Sequence, residues 1–139
     1  MKTVRDLLQS RGKELFTINS SQTVYDALVL LAEKNIGALL VMEEKKLVGI
    51  ISERDYARKV ILRGASSLET PVKKIMSEWI ITVSPEHNLE ECLNIMSEKH
   101  IRHLPVLDGE ELVGMISIGD LVKIALEEKD RLIQELSLP

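Results

Sequence analysis

The sequence predicts a mixed α/β (α+β) fold built from two copies of one small unit, each a three-stranded sheet with flanking helices. Three observations support this prediction. The 139 residues fit one compact domain or two half-size ones, and 45% hydrophobic with 29% charged residues is typical of a globular protein. Helically spaced apolar residues alternate with short, strand-sized apolar runs. Above all, the stretch Leu47–Asp55, LVGIISERD, recurs 65 residues later at Leu112–Asp120 as LVGMISIGD.

The first copy begins with two predicted helices joined by a short extended segment. Residues 3–10, TVRDLLQS, place their apolar side chains at helical spacing. A loop at Arg11-Gly12 and the extended segment LFTI, residues 15–18, follow. The second helix is predicted from preceding hydroxyl side chains that can cap it and from an apolar stripe at i, i+3, i+4 and i+7. That stripe consists of Val24, Ala27, Leu28 and Leu31.

A β-hairpin and a third helix complete the first copy. The two apolar runs Ala38–Met42 and Leu47–Ile51 flank the charged turn Glu43–Lys46, a pattern that predicts a hairpin with largely buried strands. A helix is predicted over Glu53–Leu62. Residues Ala65–Pro71, ASSLETP, have the composition of a linker.

The second copy repeats this order. Its apolar residues Val72, Ile75 and Met76 correspond to the first helix, and from Thr17 onward the two copies align without a gap. Thirteen aligned residues are identical, so repeat 1 is assigned to residues 1–64, the linker to 65–71 and repeat 2 to 72–139. A three-stranded half cannot bury both sheet faces, so we expect the halves to pack about a pseudo-twofold axis with two related clefts between them.

Composition excludes several functions. A net charge of −4 gives no basic surface for nucleic acid, although the local cluster Arg54, Arg58 and Lys59 either contacts a phosphate or forms a solvated helix face. Cys92 is the single cysteine, so no intramolecular disulfide is possible. No secretory signal or long apolar run is found, and we expect a cytoplasmic protein with no membrane partner.

The duplicated Ser-x-x-Asp motif suggests a ligand site. At a strand-to-helix junction, the first helical turn offers free N–H groups and a positive dipole end to a phosphate. The Ser117 hydroxyl would add a donor, and Asp120 could accept hydrogen bonds from the two hydroxyls of a ribose. The alternative is a capping box, in which Ser and Asp only satisfy the helix start. Two copies after the same L-V-G run favour a ligand, and both roles are compatible.

Both halves resemble CBS (cystathionine-β-synthase) domains, and the whole chain is similar to a stand-alone CBS pair, or Bateman module. The matching motifs are GIISERD at Gly49–Asp55, GMISIGD at Gly114–Asp120 and IRHLPVLD at Ile101–Asp108. Residues Ser52–Gly64, SERDYARKVILRG, also look like a subgroup of free-standing CBS pairs.

The resemblance implies a sensor of adenine nucleotides that forms homodimers and regulates an unknown protein. AMP is the expected ligand, with ATP, ADP, NAD(H) and S-adenosylmethionine as further possibilities. Serine would contact the phosphate, aspartate the ribose, and an earlier strand the adenine. Carried over, the second site comprises Ser117, Asp120, Thr82, Val83 and Pro105, and the first comprises Ser52, Asp55, Thr17 and Ile18.

The two sites are not expected to be equivalent. Repeat 2 has Arg102-His103 where repeat 1 has Gly37-Ala38. Guanidinium suits phosphate recognition, and imidazole can donate a hydrogen bond or stack, although His103 could instead be an ordinary half-buried residue. Arg54 of repeat 1 either reaches a phosphate or faces solvent. We therefore expect the site of repeat 2 to be the better formed.

Enzymatic interpretations are weaker. Ser117, His103 and Asp120 lack the geometry of a catalytic triad, and no Walker loop or complete zinc ligand set is present. We therefore expect no catalytic cofactor and no metal. The alternative to a sensor is an interaction adaptor with vestigial nucleotide sites.

Dimerisation has one further indication in the sequence. The last helix, predicted to extend through Leu121–Leu136, places apolar residues on one face that would either bind a second copy or cover the protein's own sheet. These residues are Leu121, Ala125, Leu132 and Leu136.

Overall fold

A computed structural model describes residues 2–11 and 15–137 of the chain. The predicted loop residue Gly12 lies outside the described residues. The described elements, in chain order, are α1 (Val4–Arg11), β1 (Thr17–Asn19), α2 (Val24–Lys34), β2 (Ala38–Glu43), β3 (Lys46–Ser52), α3 (Glu53–Tyr56), α4 (Leu89–Lys99), β4 (His103–Asp108), β5 (Glu111–Ser117) and α5 (Ile118–Ser137). The predicted mixed α/β class is confirmed, with two small sheets.

The chain divides into two compact units that exchange their first segments. The first unit is Leu15–Ile81, and the second unit joins Met1–Glu14 to Thr82–Pro139. Helix α1, which starts repeat 1 in the sequence, therefore packs with the strands of repeat 2. Its Val4 and Arg5 amides donate to the carbonyls of His87 and Pro85, both at 2.9 Å.

The first unit is organised around a three-stranded sheet in the order β1-β2-β3. Strand β1 is parallel to β2, with Ile18 beside Val41, and β2 and β3 form the predicted antiparallel hairpin. The core is aliphatic, as expected for a chain with only 3% aromatic residues. Its buried residues are Ile18, Val24, Ala27, Leu31, Leu39, Val41, Ile51, Val60, Val72 and Ile75.

The prediction of a full helix at the start of repeat 2 is wrong. Only a 3₁₀ turn forms, over Val72–Lys74. Directly after it, Ser77 makes an antiparallel bridge to Ile50, with bonds of 2.8 and 3.0 Å between their amides and carbonyls. Because the Ser77 backbone is committed to strand β3, the turn cannot continue as an α-helix.

The second unit departs from the predicted three-stranded sheet because of two prolines. Its sheet contains only β4 and β5, and Val83 joins β4 through a single parallel bridge to Val106. In the first unit, the β1–β2 ladder uses the amides of Ser20 and Leu40, which donate to Met42 and Phe16. Their aligned counterparts, 65 positions later in the sequence, are Pro85 and Pro105. Proline has no N–H, so these two bonds have no equivalent.

The helix predicted over Glu53–Leu62 is present but not regular. After α3 the chain continues as a π-helical turn, Ala57–Ile61, in which the Leu62 amide donates to the Ala57 carbonyl at 3.2 Å. π-Helical turns are rare and occur often near functional sites. This one carries Lys59, whose contacts are described below.

Candidate functional site

The Ser-x-x-Asp motif of the second unit lies where β5 ends and α5 begins. The Asp120 amide donates to Ser117 Oγ at 3.2 Å, and the Ser117 amide donates to Asp120 Oδ2 at 2.9 Å. These reciprocal bonds form a capping box, so the helix-capping role that the sequence suggests as the alternative to ligand binding is present. Within the described chain, the Ser117 hydroxyl accepts from Asp120 but donates to no protein atom, which leaves its proton available to a ligand.

The first unit repeats the same box with one difference. The Ser52 amide donates to Asp55 Oδ2 at 2.9 Å, and the Asp55 amide donates to Ser52 Oγ at 3.2 Å. Here the Ser52 hydroxyl also donates to Asp55 Oδ2, at 3.0 Å. The hydroxyl proton is therefore used internally in the first unit, in contrast to Ser117.

Arg11 contacts the carboxylate that the motif predicts to bind ribose. Its Nη1 donates to Asp120 Oδ2 at 2.6 Å, and its Nη2 donates to the carbonyl of Met115 in β5 at 2.7 Å. The Arg11 and Asp120 side chains are 29% and 22% exposed. Sequence reasoning missed Arg11 because the pair is far apart along the chain and meets only through the exchange of α1 into the second unit.

Lys59 makes the corresponding contact in the first unit. Its Nζ lies 3.1 Å from Asp55 Oδ1 and donates to the carbonyl of Ile75 at 2.8 Å. In each unit a cation thus joins the motif aspartate to a backbone carbonyl. The basic cluster expected from the sequence is divided accordingly, since Lys59 turns toward Asp55 while Arg54 and Arg58 are exposed.

The start of β4 brings Arg102 and His103 beside the second motif. His103 pairs with Ser117 across the β4–β5 ladder, and the Ile118 amide donates to the Arg102 carbonyl at 2.9 Å. Arg102 is exposed and His103 is half-buried. Burial lowers the pKa of His103, the Asp120 carboxylate opposes this effect, and Arg102 adds to it. Burial therefore favours the neutral form of His103, in which one ring nitrogen can donate a hydrogen bond.

The first unit has the same backbone geometry without these side chains. The Glu53 amide donates to the Gly37 carbonyl at 3.2 Å, and Ala38 pairs with Ser52. Gly37 and Ala38 supply neither a cation nor a polar donor. At these two positions the units therefore share the backbone hydrogen bonding and differ in their side chains.

The residues predicted to lie beside adenine occupy two different environments. Val83 is buried, and its backbone is committed to β4: its amide donates to the Pro105 carbonyl at 3.0 Å and its carbonyl accepts from Leu107 at 2.9 Å. Ile18 is likewise buried within its sheet. Thr17 and Thr82 are exposed. A role in base binding stays a prediction for all of these residues, including Pro105.

Other candidate reactive groups have structural roles. Cys92 is buried, and this burial raises the pKa of its thiol to about 11. His100 ends α4 in the left-handed conformation, with φ at 55°. Within residues 2–11 and 15–137, no group of three or more His, Cys, Asp or Glu side chains is placed to hold a metal ion. None of the helices in that part of the chain is long and apolar enough to cross a membrane.

Comparison with known proteins identifies the family. The family model of the CBS domain matches residues 4–62 and 72–127, both halves of the duplication. The chain belongs to the CBS-domain family. Among curated relatives of this CBS-domain pair, the CBS domain-containing protein CBSX3, mitochondrial, of Arabidopsis thaliana is 39% identical over 144 residues. The match covers 97% of this chain and 70% of the relative.

Solved CBS-domain structures have the same fold. A protein with CBS domains from Burkholderia ambifaria MC40-6 superposes with a TM-score of 0.87 at 46% identity, covering 91% of this chain and 95% of that chain. The CBS domain pair of protein MJ0100, solved in complex with 5′-methylthioadenosine and S-adenosyl-L-methionine, gives a TM-score of 0.82 at 26% identity. That match covers 92% of this chain and 98% of MJ0100's.

Proposed function

We propose that this CBS-domain pair is a regulatory module that binds an adenosine-containing nucleotide and makes or breaks no covalent bond. The observation that carries the proposal is the duplicated strand-to-helix junction with Ser-x-x-Asp, which in the second unit lies beside Arg102 and His103. The complex of the related MJ0100 pair with two adenosyl compounds supports an adenosyl ligand. Regulation would follow from a difference in ligand affinity between two states of the protein.

The second unit is the favoured site. The Ser117 hydroxyl donates its proton to no atom of the described residues, and Arg102 supplies a guanidinium. Directly after Ser117, the 20-residue helix α5 begins, so its first turn lies at the same junction. In the first unit the Ser52 hydroxyl is used by Asp55, and Gly37 and Ala38 add no donor side chains. AMP remains the first ligand to test, followed by ADP, ATP, NAD(H) and S-adenosylmethionine.

Homodimerisation is the second part of the proposal, and α5 supports it. The apolar face predicted from the sequence is buried at the start of α5 and exposed near its end. Leu121 is buried within its own unit, whereas Leu132 and Leu136 are 55% and 77% exposed. Val122, Leu126 and Ile133 are exposed as well. Exposed apolar residues in this number on one helix are typical of a protein–protein contact.

A location in the cytoplasm stays a prediction.

One observation favours the alternative of an adaptor with vestigial sites. Both motif aspartates are paired with a cation of the protein itself, Arg11 in one unit and Lys59 in the other. A ribose that binds these carboxylates must displace the cation or share the carboxylate with it. The adaptor interpretation predicts that neither happens and that the ion pairs are permanent.

Calorimetric titration of nucleotide-stripped protein separates the two functions. AMP, ADP, ATP, NAD(H) and S-adenosylmethionine are titrated one at a time, and thermal shifts are measured in parallel. We expect saturable heat from at least one ligand, with a higher melting temperature in its presence because the ligand binds the folded state. If none of the five binds, the sensor function is excluded and the adaptor function is favoured.

A further inference from the structure

Arg11 holds a position in the second unit that a simple helix cap does not require. The capping box is complete with Ser117 and Asp120 alone. Arg11 adds a guanidinium whose two terminal nitrogens bond to two different acceptors, the Asp120 carboxylate and the Met115 carbonyl. The ion pair is partly shielded from solvent, so it is worth more than a fully exposed surface pair.

A ribose that hydrogen-bonds to both oxygens of Asp120 competes with this ion pair for Oδ2. Asp120 Oδ2 already accepts from the Ser117 amide at 2.9 Å and from Arg11 at 2.6 Å. A carboxylate oxygen offers about two lone-pair sites, so Oδ2 has no free site for a ribose hydroxyl. A ligand that uses both carboxylate oxygens must therefore displace the guanidinium.

A displaced guanidinium needs a new anion close by. Leaving a partly shielded charge without a partner is unfavourable, and Arg forms strong paired hydrogen bonds to phosphate. Because Arg11 and the Ser117 amide bond to one oxygen atom, the guanidinium lies within a few ångström of the junction where phosphate is proposed to bind. A nucleotide carries this anion, whereas adenosine and 5′-methylthioadenosine do not.

We propose that Arg11 is a specificity-determining residue of the second unit, which moves from Asp120 to the ligand's phosphate when a nucleotide binds. Displacement by an uncharged nucleoside leaves the guanidinium unpaired, so the site selects phosphorylated ligands. This inference rests on the proposed function, since it requires the ribose to bind both carboxylate oxygens of Asp120. It goes beyond that function by assigning the selectivity to a residue outside the Ser-x-x-Asp motif.

The test compares AMP with adenosine on the same protein samples. Wild-type protein and the Arg11→Gln variant are titrated calorimetrically with each ligand, and the readout is the ratio of the two dissociation constants. Partial unfolding of the variant weakens both ligands equally, so the ratio is insensitive to it. Arg11→Lys, which keeps the charge, should retain part of the preference for AMP. Lys59→Gln is the matched control, because it removes the corresponding cation of the first unit.

In Arg11→Gln we expect adenosine to bind more tightly and AMP more weakly, so that the preference for AMP falls by about tenfold or more. An unchanged ratio in this variant, with AMP binding still weakened in Asp120→Asn, overturns the role of Arg11 and leaves the proposed function standing. If AMP binds equally well to wild-type protein and Asp120→Asn, the proposed site fails, and the inference fails with it. Absence of any AMP or adenosine binding to the wild type overturns both.

Discussion

The exchange of segments between the two units explains why each repeat has a glycine in its L-V-G run, and it can be tested by adding one methyl group. A Cβ at Gly114 would lie 2.8 and 3.1 Å from the two terminal carbons of Leu8, a residue of the exchanged helix α1. Unstrained carbon–carbon contacts are about 3.5–4.0 Å, so Leu8 would have to move. Leu8 is 9% exposed and cannot simply turn into solvent. Overpacking of this kind costs about 1–3 kcal/mol.

The corresponding glycine of the first unit is even more constrained. A Cβ at Gly49 would lie 2.5 Å from Met76 Sδ and 3.0 Å from the carbonyl oxygen of Ser77. That carbonyl accepts a hydrogen bond from the Ile50 amide, so the backbone itself would have to shift. We expect Gly49→Ala to lower the free energy of unfolding by about 2–3 kcal/mol and Gly114→Ala to lower it by about 1–2 kcal/mol.

The assay is urea denaturation monitored by circular dichroism, with Gly37→Ala as the control. No atom lies within 4 Å of a Cβ built on Gly37, so alanine there should leave stability unchanged or raise it by up to about 1 kcal/mol. In a double-mutant cycle, Leu8→Ala should relieve Gly114→Ala, making the double variant about 1 kcal/mol more stable than the sum of the single effects. Strict additivity, or a Gly114→Ala variant as stable as the wild type, would refute the packing of α1 on β5.

Three further predictions follow from other local features. Burial lowers the pKa of His103, so the unfolded state binds a proton at this residue more readily, and His103 should reduce stability as pH falls below about 6.5. Between about pH 7.5 and 5.5, the His103→Gln variant should therefore lose less stability than the wild type. Identical slopes of unfolding free energy against pH for the two proteins would contradict this. Glu44 has φ of 56° where the second hairpin has Gly109 at 64°, so Glu44→Gly should stabilise by up to about 1 kcal/mol and Gly109→Ala should destabilise by a similar amount, both measured by urea denaturation. Cys92, with its raised pKa and complete burial, should resist iodoacetamide in native protein and react in urea, and rapid alkylation without urea would be inconsistent with the structure.

Most of the fold could be predicted from the sequence because its signals are local or repeated. Helix α2 follows from its apolar stripe, and the β2–β3 hairpin from two apolar runs around a charged turn. The second sheet has fewer strands than the repeat predicts because Pro85 and Pro105 lack the N–H groups that their counterparts use in the first sheet. That signal was available in the alignment of the two repeats.

The candidate site could be predicted only in part. Ser117 and Asp120 form a recognisable motif within one helical turn, and the structure places Arg102 and His103 next to it as the hairpin requires. Arg11 could not be found in this way, since no local pattern indicates that α1 packs in the unit formed by the other repeat. The unit in which α1 packs depends on which strand its apolar face covers. Strands β3 and β5 have the same L-V-G run, so the sequence does not distinguish between them.

The most direct test of the nucleotide site is calorimetric titration of AMP into nucleotide-stripped wild-type protein, Asp120→Asn and Asp55→Asn. Asparagine keeps an oxygen that can accept the capping hydrogen bond, so both variants should fold, and their melting temperatures provide the check. We expect AMP to bind the wild type and to bind Asp120→Asn about 10–100-fold more weakly, since charge-assisted hydrogen bonds are lost. Asp55→Asn should keep the tighter site. Equal affinity of AMP for the wild type and Asp120→Asn would contradict ribose recognition by Asp120.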